Sequence, residues 1–172
     1  MKNLFIKSIS LFFTLLLITQ LSFSQVIQGT YAIKNVQTGM LLRIKDANGK
    51  NGTPLVAYNP VNWKCMTWDF KHVEGQTYQL KNLFTSKTFQ PKTGTAAEGV
   101  VMEQQPLVNA QANQEYEFIP VEKNIYLIKA KGTELYLTPV DKDGTIDTGI
   151  MLAKKNESKL QQWTIYEQHP TM

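Results

Sequence analysis

Cysteine is almost absent from this chain of 172 residues: Cys65 stands alone, so no intramolecular disulfide can form and stability has to come from a packed core. Histidine is nearly as scarce. His72 falls in Lys71-His72-Val73-Glu74-Gly75 and His169 lies in the C-terminal tail, settings that read as surface imidazoles. No His/Cys set has metal-binding spacing, and there is neither a Gly-rich phosphate loop nor a nucleophile elbow. A thiol such as Cys65 needs a base to become a nucleophile, and His72 is a poor candidate at that spacing. The expectation is therefore a non-enzyme with no metal and no cofactor. Charge of one sign is also in short supply, with 18 Lys and Arg against 14 Asp and Glu and no basic run longer than Lys154-Lys155. A nucleic-acid partner, which calls for a clustered basic footprint, is excluded on that ground.

Long apolar runs are confined to the start. Met1-Lys2-Asn3-Leu4-Phe5-Ile6-Lys7 is basic, Ile9 to Ile18 is apolar apart from Ser10 and Thr14, and Ser22-Phe23-Ser24 precedes Gln25. This is the pattern of a secretory signal, predicted to occupy residues 1–24 and to leave a domain of residues 25–172 with 16 basic against 14 acidic side chains. The alternative, a retained membrane helix, needs about 20 apolar residues, and Thr19, Gln20 and Ser22 interrupt the run too soon. No cysteine follows it to accept a bacterial lipid anchor. The predicted location is secreted, periplasmic or on the cell surface, with no membrane span after cleavage. The oligomeric state is left open.

What the rest of the chain does contain is a repeat. Tyr31-Ala32-Ile33-Lys34-Asn35, Tyr78-Gln79-Leu80-Lys81-Asn82 and Tyr126-Leu127-Ile128-Lys129-Ala130 are spaced by 47 and 48 residues, and Trp68-Asp69-Phe70, Tyr116-Glu117-Phe118 and Trp163-Thr164-Ile165 by 48 and 47. Two independent landmarks keeping one period define three units, at about 29–75, 76–123 and 124–168. Each landmark alternates apolar and polar residues, which places the apolar ones on one face of a strand. The first unit has four such runs, Tyr31 to Val36, Met40 to Ile44, Leu55 to Tyr58 and Thr67 to Val73. Thr38-Gly39, Asp46-Ala47-Asn48-Gly49 and Asn51-Gly52-Thr53-Pro54 supply turns between them. Beyond residue 24 no apolar stripe is long enough to predict a helix. Twelve strands in three copies suit either three propeller blades or a closed barrel, and propellers typically take at least four blades. The predicted fold is all-β, a β-trefoil of three pseudo-symmetric repeats.

The unit ends, Met66-Thr67-Trp68, Gln114-Glu115-Tyr116 and Gln161-Gln162-Trp163, resemble the Gln-x-Trp repeats of ricin-type β-trefoil lectins, with the third a full match. Gly52-Thr53-Pro54 before the third strand and Thr38-Gly39 before the second are similar to turns of that family, and the resemblance spans residues 29 to about 168. It implies a carbohydrate-binding module with a glycan or glycoconjugate partner. It further implies three kinds of site residue: an Asp late in the second strand, an aromatic in or after the third, and a polar residue just before the Gln-x-Trp.

Counted from the preceding turns, the Asp position falls on Arg43, Gln90 and Tyr136, the aromatic position on Tyr58, Gln104 and Lys154, and the polar position on Cys65, Asn113 and Leu160. None of the first three is acidic. Carboxylates hold sugar hydroxyls through charge-assisted hydrogen bonds about twice as strong as neutral ones, so binding of galactose by the family's usual contacts is not expected. The first unit keeps the best ligand set, Arg43 and Tyr58 with Asn62 and Trp63 in the loop after Pro60; the second offers the amides Gln90, Gln104 and Asn113. Arg43 in place of a carboxylate would suit an acidic or sulfated sugar, and Trp63 is as well placed to cover the open end of the barrel as to stack on a ligand. The rival function is protein contact by a degenerate trefoil, such as a protease inhibitor or accessory surface protein. Asp141-Lys142-Asp143-Gly144-Thr145-Ile146-Asp147 puts three carboxylates about a glycine but lacks the later Glu of a calcium loop, and reads as a turn.

Overall fold

A computed structural model describes residues 25–171; the expected export signal lies outside the described residues. In chain order the strands are β1 Thr30–Asn35, β2 Leu41–Ile44, β3 Leu55–Tyr58, β4 Thr67–Glu74, β5 Thr77–Asn82, β6 Thr88–Pro91, β7 Met102–Gln105, β8 Tyr116–Glu122, β9 Ile125–Ala130, β10 Leu135–Pro139, β11 Thr148–Lys154 and β12 Gln162–Glu167. Among the described residues the remaining regular structure is four single 3-10 turns, three of which (Lys64–Met66, Ala112–Gln114 and Lys159–Gln161) lead into the last strand of each unit. Cys65 sits in the first of these turns, buried.

Six strands close on themselves. β1 pairs with β4, β4 with β5, β5 with β8, β8 with β9, β9 with β12, and β12 returns to β1, all antiparallel. Closure removes the exposed edges that an open sheet would present. The pseudo-threefold relation is visible in the register: Tyr31 faces Trp68, Tyr78 faces Tyr116 and Tyr126 faces Trp163. The other six strands form hairpins β2–β3, β6–β7 and β10–β11. These join one another by the same rule, since Pro54 bridges Glu103, Val101 bridges Met151 and Gly149 pairs with Val56. This is a β-trefoil.

The core follows from the two-residue alternation. Trp68, Tyr116 and Trp163 are fully buried, together with Ile33, Leu80, Ile128, Leu42, Phe89 and Leu137. Phe70 and Phe118 meet edge to face at 5.0 Å, and Trp68 meets Phe89 at 5.3 Å, geometries that aromatic quadrupoles favour. Each large ring also spends its polar atom within its own unit. Trp68 Nε1 donates to Leu42 O (3.3 Å), Tyr116 OH to Phe89 O (2.9 Å) and Trp163 Nε1 to Leu137 O (3.0 Å). Those three bonds lock barrel to hairpin and define which residues of the units are equivalent.

Candidate functional site

With Leu42, Phe89 and Leu137 equivalent, the next residues, Arg43, Gln90 and Thr138, occupy the position late in the second strand. The expectation of Tyr136 there is corrected by two residues. In the first two units the turn after the first strand is closed by Gly39 N to Asn35 O and Ser86 N to Asn82 O, whereas in the third it is closed by Thr133 N to Ala130 O. The left-handed residue is accordingly Gly39, Ser86 and then Gly132, so counting from that glycine slips the third unit out of phase. The position in the third strand needs correction too. Leu41 faces Tyr58 and Thr88 faces Gln105, while Tyr136 faces Ala153, so the counterparts of Tyr58 are Gln105 and Ala153, not Gln104 and Lys154. A one-residue slip in a strand exchanges the two faces, and Gln104 is on the inner one.

Arg43 is the single arginine of the chain and is only 7% exposed. Its guanidinium carbon lies 4.0 Å from the centre of the Tyr58 ring and 6.0 Å from that of Trp63. The rings are themselves 6.4 Å apart with a 31° tilt, and both are half-buried. A planar, weakly hydrated guanidinium suits such stacking better than a lysine ammonium does. Two carboxylates flank it, Asp46 Oδ1 at 3.9 Å and Asp147 Oδ1 at 3.7 Å, both beyond hydrogen-bond length. Arg43 Nε and Asp147 Oδ1 are buried without hydrogen-bond partners. Asp46 and Ala47 have φ of 54° and 49°, a left-handed bend of the β2–β3 loop on the Asp46 side of Arg43. Asp147 comes from the β10–β11 connection of the third unit, held by its amide on Ala57 O (2.9 Å). No local pattern marked either aspartate as a neighbour of Arg43.

Trp63 packs with Tyr58 and Val61 on a small cluster of Ala32, Leu41, Cys65 and Met66, apart from the main core. It does not cover the barrel end; Ile27, whose amide donates to Tyr78 OH (3.0 Å), belongs to the main core. Asn62 is exposed and lines a shallow cleft with Pro60, Val61 and the segment Tyr166–His169. Burial pushes the Cys65 thiol up, partly offset by the Arg43 guanidinium, which donates toward the sulfur and carries positive charge. His72 and His169 are exposed, with His72 Nε2 3.1 Å from Gly75 O.

The chain belongs to the ricin-type β-trefoil lectin domain-like family. That family's sequence profile matches residues 19–105, just over half of the chain. No curated protein matches it. Among solved structures, the designed threefold-symmetric protein ThreeFoil is similar with a TM-score of 0.76 at 15% identity, over 81% of this chain and 99% of that one. The Macrolepiota procera ricin B-like lectin, solved with lactose, is similar at 0.67 and 23% identity, over 83% and 98%. The Polyporus squamosus lectin, solved with the epitope Neu5Aca2-6Galb1-4GlcNAc, is similar at 0.69 and 18% identity, over 83% of this chain and 50% of that chain.

Within this ricin-type chain the polar side chains of the second unit are turned to internal use. Gln90 Oε1 accepts from Gln114 Nε2 (2.9 Å) and Gln111 Nε2 (3.3 Å), and Asn113 accepts from Gln111 Nε2 (2.7 Å) while donating to Gly94 O (2.8 Å). Gln104, fully buried, donates to Asn48 O (3.1 Å) and Lys50 O (2.9 Å), tying the first unit's β2–β3 loop to the second hairpin. Gln161 and Gln114 brace the loop before them: Gln161 Nε2 donates to Lys154 O (2.8 Å) and Gln114 Nε2 to Pro106 O (2.9 Å). Met66 takes that place in the first unit. The Asp141 carboxylate accepts from the amides of Asp143 (3.1 Å) and Thr145 (2.9 Å) and is a turn brace; the Thr145 hydroxyl first, and then these amides, hold it below its ordinary pKa.

Proposed function

We propose that this chain is an exported, non-catalytic carbohydrate-binding module whose ligand site lies on the first unit. The observation that carries the reading is the pair of half-exposed rings, Tyr58 and Trp63, 6.4 Å apart with Tyr58 backed by the Arg43 guanidinium. A sugar presents an apolar C–H face that stacks on such rings, and a shallow site needs little beyond a ring and a few fixed polar groups. Asn62, exposed on the same loop, supplies an amide. The lactose of the Macrolepiota procera lectin and the sialylated trisaccharide of the Polyporus squamosus lectin support a glycan as the ligand class. Gln90, Gln104 and Asn113 serve the scaffold. A non-catalytic role is supported by the buried Cys65, whose thiol is held up, and by histidines that lie exposed at the periphery. Export rests on the basic and apolar pattern of residues 1–24.

The test is a glycan array probed with the native chain, followed by affinity retention of Tyr58→Ala and Trp63→Ala. Each variant is expected to lose about fivefold to tenfold in affinity, the scale of a lost aromatic contact of about 1–1.5 kcal/mol. Binding to no glycan overturns the reading. Protein contact is the second reading, favoured by the lack of a carboxylate at all three equivalent positions, Arg43, Gln90 and Thr138; it predicts partner capture that survives both substitutions without any glycan retention.

A further inference from the structure

Arg43 stands where the ricin-type family places a carboxylate, and taken alone it would recruit anionic sugars. Its surroundings say otherwise. Within 4 Å it is flanked by two carboxylates, Asp46 from its own unit and Asp147 from the third, so the three groups together carry one negative charge. The Asp147 oxygen that faces Arg43 is buried, while the side chain as a whole is 28% exposed against 9% for Arg43, so Asp147 is the more solvent-accessible member of the pair. The guanidinium's flat face is taken by Tyr58 at 4.0 Å.

We infer that Asp147, contributed across the pseudo-threefold axis by the β10–β11 connection, is the specificity-determining residue of the first-unit site and makes it select neutral glycans over sialylated or sulfated ones. The inference rests on the carbohydrate-binding reading above. Physically, Asp147 cancels the attraction that Arg43 would exert on an anionic sugar and adds repulsion of its own, and discrimination of this kind depends on a repulsive element as much as on contacts with the favoured ligand. It also holds Arg43 in its place: a buried arginine needs an opposing charge, and here one of the two comes from another unit.

Asp147→Asn is the informative variant. Asp147 has φ of 62°, a left-handed conformation that asparagine tolerates as well as aspartate, and the backbone bond to Ala57 O is unaffected by the change. The assay is an array that carries neutral glycans beside their sulfated or sialylated counterparts, read with the native chain and with Asp147→Asn, each first confirmed folded by its thermal transition. The native chain is expected to favour the neutral member of each pair, and the variant to raise the anionic-to-neutral ratio by about fivefold or more, the effect of deleting one charge at close range. Should Asp147→Asn lower the melting temperature, Asp46→Asn, at a carboxylate 68% exposed, is expected to move the ratio in the same direction by less. Neutral binding with a ratio that neither substitution changes overturns the role of Asp147 and leaves the carbohydrate-binding reading standing. Native preference for anionic glycans also overturns it. No binding by the native chain to any glycan overturns the carbohydrate-binding reading, and this inference with it.

Discussion

Gln161→Met separates hydrogen bonding from packing in the braces that end each unit. Gln161 is fully buried; its amide nitrogen donates to Lys154 O at 2.8 Å and Thr138 Oγ1 at 3.1 Å, and its amide oxygen accepts from Asn156 N at 2.8 Å. Methionine has nearly the same length and volume, and the first unit already carries Met66 at this position, so the substitution changes polarity with little change of shape. Thr138 keeps its bond to Tyr136 O, which leaves the Lys154 carbonyl and the Asn156 amide as the groups that lose a partner. At about 1–3 kcal/mol for each stranded backbone group, discounted for water reaching the exposed loop, the expected loss is about 2–4 kcal/mol. For a domain near 150 residues that lowers the melting temperature by about 5–12 °C, read by far-ultraviolet circular dichroism and checked by urea unfolding with an unchanged m-value. Gln162→Met, at the half-buried neighbour in β12, is the control and is expected to change stability by no more than about 0.5 kcal/mol. A shift below about 2 °C for Gln161→Met would refute the brace and show that the packed chain alone holds the loop.

Gln104→Leu is expected to cost about 1–3 kcal/mol, because Asn48 O and Lys50 O both lose the same donor, while glycan retention stays at the native level; a loss of binding without a loss of stability would return Gln104 to the ligand site. Glu74 is held below its ordinary pKa by its hydrogen bond to Lys131 and by the lysine's charge. A depressed carboxylate contributes stability that is present above the unfolded pKa of about 4.3 and fades as pH falls through the lower folded value. Carbon-detected NMR titration should place Glu74 below that figure in the native chain and return it to the ordinary value in Lys131→Met; a native Glu74 that titrates normally would remove the interaction.

The fold was largely legible in the sequence because a barrel of this kind is built from one short pattern repeated. Tyr31, Tyr78 and Tyr126, with Trp68, Tyr116 and Trp163, announce the period, and alternation along each strand says which side faces inward; both are local properties that burial imposes on every copy. Site positions were less legible, since carrying them between units requires the phase of each turn. The third unit closes its first turn at Gly132 in place of the Gly39 geometry, so Tyr136 stood in for Thr138, and one residue of slip made the core-facing Gln104 look like the second unit's counterpart of Tyr58. The placing of Asp147 beside Arg43, and the tie from Gln104 to the first unit's loop, were decided by tertiary structure alone. The hairpins meet across the pseudo-threefold axis through pairs such as Thr148 with Ala57, and nothing in the periodicity of either segment encodes which side chain of one unit will lie against which of another.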